Sequence, residues 1–324
     1  MRLCTSVSPE AAHKRASCCK LPLRRWRLPF VNKIRKAKEN AFLRIAIQGE
    51  LGSNSHMATM SMLDNEVAEI RIVPCNVSAE VMARVISRDV DAAVLPIENS
   101  LHGSVAEHYD LLLELDVRIE RESLLRIRHN LIAGPGVTLS QIRRVISHPV
   151  ALSQCRKFLA SQPQLEVMPF YDTAGSVKYL MEQKLTDCAG IAPELAAVQY
   201  GAEILIPSVE DHTQNFTRFH LVRRSDDPFL IATQEPENKM SLAFAIEHRP
   251  GTLVSALERL AWAGVDLTKI ESRPVPGSPW EYVFYVDVRF DTPAKAEAAV
   301  AALTEHCRMV KVLGRYHAAS FTPE

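Results

Sequence analysis

The 324-residue sequence contains no Cys-x-x-Cys pair, and its seven cysteines are an odd number. Both facts argue against a disulfide framework and against a zinc site. No apolar run approaches the ~20 residues needed to span a bilayer, so no membrane partner is expected. No Gly-Lys-Ser/Thr follows a glycine-rich turn, which excludes a Walker phosphate loop. The eleven histidines show no ligand spacing: His102 and His108 are six residues apart, His212 and His220 eight. Solvated or structural roles are expected for most of them, with no metal and no cofactor. Cys75, Cys155 and Cys188 lie in apolar segments and read as buried free thiols. That points to a reducing compartment, hence a cytoplasmic location.

What is present is a chain long enough for two or three packed units, with 47 % apolar and 23 % charged residues, an ordinary globular balance. Its formal charge is zero but uneven. Residues 1–40 carry eleven Lys/Arg against Glu10 and Glu39, which leaves 27 basic and 36 acidic residues for the rest. A body of that sign does not suit nucleic acid as a partner. Residues 1–42 read as a basic, disordered leader. It lacks the 7–15-residue apolar core of a secretory signal. Its Arg-rich composition also suits an organelle transit peptide or an anionic surface, and 31–43 suits a short basic helix.

From residue 43 strands and helices alternate. Strands are expected at 43–48, 70–74, 92–97, 124–133, 145–147, 167–171 and 188–192. Helices are expected at 55–63, 78–88, 105–113, 151–160, 174–183 and 194–200. Such alternation predicts an α/β body of parallel sheets flanked by helices, and the long run 124–133 reads as a strand crossing between two sheets. After residue 225 a polar stretch, 226–238, reads as a linker. Met240, Leu242, Phe244 and Ile246 then alternate with smaller or polar residues, predicting a half-buried strand. Leu253, Leu257 and Leu260 share a helical face. The order over 239–317 is β-α-β-β-α-β, a ferredoxin-like module.

Polar residues gather where strands end and helices begin. Ser53 and Ser55 lie in Gly49-Glu-Leu-Gly-Ser-Asn-Ser-His56. Glu98, Asn99 and Ser100 lie in Pro96-Ile-Glu-Asn-Ser-Leu-His-Gly103. Ser147-His-Pro149 opens a helix with Gln154 about two turns on, and Asp172-Thr173-Ala-Gly opens the next. Asn215, Thr217, Arg218 and Phe219 enter the apolar strand that follows. Taken singly, each is as consistent with helix capping or a polar strand start as with a ligand site. Four helix starts without Lys or Arg suit a carboxylate held by N–H and hydroxyl donors better than a phosphate.

In this order the motifs resemble those of the prephenate dehydratases, over roughly residues 45–316. The resemblance implies a two-lobed, periplasmic-binding-protein-like catalytic domain at 43–225 and an ACT regulatory domain at 239–317. It implies that prephenate loses carbon dioxide and hydroxide to give phenylpyruvate, with Thr217 as proton or hydrogen-bond donor to the leaving hydroxyl. Glu98, Asn99, Ser147 and Gln154 would orient the substrate and polarise Thr217. Ser53, Ser55, Ser100, Thr173, Asn215, Arg218 and Phe219 would line the cleft. Gly251, Thr252 and Leu253, with Glu271, Ser272, Arg273 and Pro274, match the segments that hold phenylalanine as effector at a subunit interface of a homodimer or homotetramer. Two departures stand out: Val150 where the family usually has Gln, and Thr252 where it commonly has Ala. Arogenate as substrate, and a non-catalytic two-lobed ligand sensor, are the alternatives.

Overall fold

Residues 42–63, 69–230, 235–275 and 281–320 are described in the computed structural model, so the expectations for residues 1–41 lie outside the described residues. The chain opens with β1 (Leu43–Gln48), β2 (Ile70–Cys75), β3 (Ala92–Asn99), β4 (Gly103–Ser104) and β5 (Val117–Arg126). It then crosses to β6 (Asn130–Ala133), β7 (Arg144–Ser147), β8 (Glu166–Pro169), β9 (Cys188–Ala192) and β10 (Glu203–Ile206). It returns as β11 (Phe216–Arg224) and ends in β12 (Lys239–Ala245), β13 (Asp266–Pro274), β14 (Tyr282–Arg289) and β15 (Met309–Tyr316). Three sheets result, ordered β2-β1-β3-β11-β5 with β4 beside β3, β10-β6-β9-β7-β8, and β13-β14-β12-β15.

The first sheet is parallel through β2, β1 and β3, while β11 runs antiparallel between β3 and β5. Helices cover both faces of its parallel part, which is why β1 and β3 read as near-continuous apolar runs. Ile45, Ile47, Val94, Phe219 and Leu221 face the helix Asn54–Leu63. Ala46, Leu95, Ile97 and Val222 face the other way.

The expected crossing strand over 124–133 is two strands in different sheets, separated by Ile127–His129. That connection pairs with the returning chain: Ile127 N donates to Asn215 O (2.7 Å) and Val209 N to His129 O (2.8 Å). Two hydrogen-bonded crossings therefore join the lobes. The expected helix over 151–160 is two short ones, Pro149–Ser153 and Arg156–Ala160, which places Gln154 at the break between them.

The C-terminal sheet is antiparallel in the order expected for a split βαβ module. One face packs on its own helices, Thr252–Trp262 and Pro293–His306, through Leu242, Phe244, Leu260, Val286 and Leu303. The other packs on the first lobe: Ala243, Tyr285, Leu313 and Tyr316 share one core with Leu95, Ile119 and Val222. β12 is accordingly buried on both faces rather than half-buried. The sheets approach closely at Gly314, where an added Cβ would lie 2.3 Å from Ile119 O. Gly314→Ala is expected to destabilise the fold by about 1–3 kcal/mol through overpacking; chemical denaturation against the unmodified protein measures it.

Candidate active site

The lobes enclose a cleft of about 800 Å³, the size of a small-molecule site. Its floor is the paired ends of β3 and β11, where Asn99 and Thr217 are cross-strand partners. Asn99 Oδ1 accepts from the backbone N–H groups of Leu101 and His102, both at 3.0 Å. Two donors on that oxygen fix the amide, so Nδ2 must turn toward β11. There it donates to Thr217 Oγ1 (2.9 Å) and Asn215 Oδ1 (2.8 Å), with Phe216 O at 3.1 Å. The Thr217 oxygen is thus an acceptor from the protein, and no other hydrogen bond to it occurs among the described residues. Its proton is left for a ligand in the cleft.

Gln154 faces this pair from the second lobe. Its Oε1 accepts from His129 Nε2 at 2.7 Å and its Nε2 donates to His102 Nδ1 at 3.0 Å. Burial pushes the His129 imidazole below its ordinary value, which keeps it neutral. Asp172 caps the helix Thr173–Glu182, accepting from Gly175 N (2.6 Å), and burial raises its pKa.

A clasp joins the lobes at the rim. Glu50, in the loop after β1, accepts from Lys178 Nζ and Tyr171 OH of the second lobe, each at 3.0 Å. Gly49 sits beside it at φ +97°, and a Cβ there would meet Asp172 Oδ2 at 2.6 Å; only glycine lets the loop come this close.

Of the residues singled out in the sequence, Thr217, Asn99, Gln154, Ser53, Ser55, Thr173 and Phe219 line the cleft together. Others lie elsewhere. Ser147 is fully buried and its hydroxyl donates to Ile191 O (2.6 Å), tying β7 to β9. Ser147 is on a strand and Gln154 past a helix end, so they do not share a helical face. Ser100 is exposed and bonds the backbone of Gln214 and Phe216. Asn215 lies behind Asn99, fully buried.

Glu98 and Arg218, expected in the cleft, are turned to the opposite face of the sheet. Successive strand residues alternate sides, so facing Asn99 and Thr217 into the cleft turns their neighbours away. Glu98 meets Lys269 Nζ at 2.9 Å. Arg218 is buried against Glu122, Asp287 and Tyr316. Burial opposes its charge, but the Asp287 and Glu122 carboxylates outweigh that and hold the guanidinium firmly protonated.

The two expected effector segments do not line one cavity within the described residues of a single chain. Gly251, Thr252 and Leu253 line a cavity of about 240 Å³ with Tyr282 and Phe284. Glu271 accepts from Ser104 (2.9 Å), Arg273 pairs with Asp110 (2.7 Å), and Ser272 and Pro274 lie on β13 opposite Phe284 and Tyr282.

Sequence reasoning missed Glu50, His102, His129, Tyr171 and Lys178 as cleft residues. Glu50 and His102 stand inside the polar motifs at 49–56 and 96–103. Lys178 lies a turn and a half into its helix, away from the helix starts where polar residues gather. His129 carries no local signal, since only the crossing places it beside Gln154.

A two-lobed α/β body with a ligand-sized cleft of mixed polar and apolar lining, backed by a β-α-β-β-α-β module, defines a small-molecule site built by two lobes. The chain belongs to the prephenate dehydratase family: the family model described as Prephenate dehydratase matches residues 45–227. It is 38 % identical over 295 residues to arogenate dehydratase 2 of Petunia hybrida, covering 86 % of this chain and 73 % of that one. It is similar to the solved prephenate dehydratase of Arthrobacter aurescens in complex with L-Phe, at 30 % identity and a TM-score of 0.75, covering 85 % of this chain and 90 % of that one. It is also similar to GqqA, described as a novel type of quorum quenching acylase, at 33 % identity and a TM-score of 0.74, covering 85 % and 98 %.

Proposed function

We propose that this chain converts prephenate to phenylpyruvate. The observation that carries the reading is the Asn99–Thr217 pair at the cleft, in which Thr217 Oγ1 accepts from Asn99 and keeps its own proton to donate. The ring carboxylate leaves as carbon dioxide, its C–C electron pair enters the ring, and the C4–O bond breaks. The departing hydroxide takes a hydrogen bond or proton from Thr217 and returns the proton as the pair relaxes, so the net products are phenylpyruvate, carbon dioxide and hydroxide. Aromatisation drives the step, and the protein has only to orient the carboxylates and stabilise the leaving group. Gln154 and Lys178 supply an amide donor and a cation in the same cleft. Incubation of the purified chain with prephenate, monitored for phenylpyruvate, tests this; prephenate bound but unchanged would instead mark a ligand sensor.

Arogenate, with an ammonium in place of the keto group, is the second reading. Glu50 and Glu107 line the cleft and offer carboxylates to such an ammonium, and the Petunia relative bears that substrate's name. The ratio of kcat/KM for the two substrates decides between them. For either, Lys178→Met is expected to raise KM roughly tenfold, ~1.4 kcal/mol, while kcat changes little. A KM unchanged in that variant would remove Lys178 from ligand binding.

The C-terminal module reads as an ACT domain with phenylalanine as effector. The small cavity beside Gly251–Leu253 supports this, as does the L-Phe named with the Arthrobacter protein. Self-association as a dimer or tetramer fits the edge strand β13, where Leu267 and Ile270 are exposed. Calorimetric titration with L-phenylalanine tests the effector.

A further inference from the structure

Behind the catalytic strand, on the side away from the cleft, lies a buried polar cluster that substrate binding does not use. Arg218 Nε donates to Glu122 Oε2 on β5 (2.7 Å), Nη1 to Asp287 Oδ2 on β14 (2.5 Å), and Nη2 to Tyr316 OH on β15 (2.9 Å). Ser241 on β12 joins Asp287 and Tyr316 at 2.5 and 2.6 Å. Lys239 donates to both oxygens of Glu122. One guanidinium from the catalytic lobe is therefore held by two strands of the C-terminal sheet at once.

We propose that Arg218 is the positioning residue for Thr217, and that displacement of the C-terminal sheet reaches the cleft through it. Three observations carry this. First, Arg218 and Thr217 are joined by one peptide, ~3.8 Å between Cα atoms, and point to opposite faces of β11. A shift of the Arg218 backbone must therefore move the hydroxyl. Second, the register with β3 breaks immediately after this pair, between Arg218 and Phe219. A bulge frees the end of a strand from the regular ladder and aims its side chains. Third, the partner strand repeats the arrangement. Asn99 faces Thr217, while its neighbour Glu98, opposite Arg218, pairs with Lys269 on β13. A polar cavity of about 470 Å³ lies between the two sheets here, lined by Glu98, Arg218, Lys269 and Asp287. It leaves the contact room to rearrange.

This inference rests on the dehydratase reading, so the test begins with turnover by the unmodified full-length chain. Its core is a double-mutant cycle on kcat between Tyr316→Phe, which removes one hydroxyl from the cluster, and Thr217→Ser, which keeps a movable donor. Tyr316→Phe is expected to lower kcat at least about threefold with KM unchanged. The double variant is expected to depart by a similar factor from the product of the single effects, as coupled sites do. Arg218→Met is expected to lose about tenfold or more in kcat, and Arg218→Lys to recover part of it. Arg88→Ala, which removes an exposed ion pair to Asp226 and Asp227, is the control with no expected effect on kcat. Should Arg218→Met fail to fold, the Tyr316→Phe cycle still decides. Multiplicative single effects, or variants that melt earlier with kcat intact, would overturn the coupling while leaving the dehydratase reading in place. No turnover of either substrate by the unmodified chain would overturn both.

Discussion

Thr217→Ala is expected to lower kcat on the order of 10²–10⁴-fold, the range typical of a lost acid–base group, with KM and thermal stability nearly unchanged. The expectation comes from which atom donates to which. Asn99 is fixed by two backbone N–H groups and donates to Thr217 Oγ1, so the threonine proton has no protein acceptor among the described residues. A hydroxyl whose lone pair is already bonded is a better donor, because hydrogen bonds in a chain polarise one another. A departing hydroxide is the strongest acceptor that enters the cleft, so the contribution falls mainly in the transition state. Alanine removes it and leaves a small space that perturbs the buried strand little. Thr217→Ser keeps the donor and should retain a large share of turnover. Near-normal kcat in the alanine variant would take Thr217 out of the mechanism.

Asn99→Asp is the second large effect, expected at about 10²–10³-fold in kcat, although shape and volume hardly change. The carboxylate cannot donate, so the bonds to Thr217, Asn215 and Phe216 are all lost. It would instead accept the threonine proton and hold it away from the ligand. It would also place a negative charge beneath an anionic substrate. KM should therefore rise as well, which separates this variant from Thr217→Ala. Measuring kcat and KM for both variants with one substrate is sufficient. Equal kinetics for Asn99→Asp and the unmodified chain would contradict the donor assignment.

The strands and helices were legible where burial leaves a period. β1, β2, β3 and β9 stand close to where their apolar runs predicted, and so do the helices after them. β5 was legible only over its last three residues, 124–126. The part before them carries Arg118, Glu120, Arg121 and Glu122, which do not look like an interior. Glu120 and Glu122 are buried all the same, because Arg118, Arg218 and Lys239 meet them there. The sense of the pleat was not legible at all. Glu98, Asn99, Thr217 and Arg218 are all polar, and a strand buried on both faces shows no alternation to say which pair meets the ligand. Cleft residues brought in by the crossing, His129 above all, depend on contacts between segments far apart in sequence.

The C-terminal sheet has two owners. Its inner surface completes the interior of the catalytic lobe through Ala243, Leu313 and Tyr316, while its outer surface belongs to its own helices. Such a module is not a detachable accessory: excising it would strip the lobe of part of its hydrophobic filling and take from buried Arg218 the Asp287 carboxylate that faces it. Exchange of this segment for another module during evolution therefore demands matching changes on β5 and β11, and drift in either half is answerable to the other.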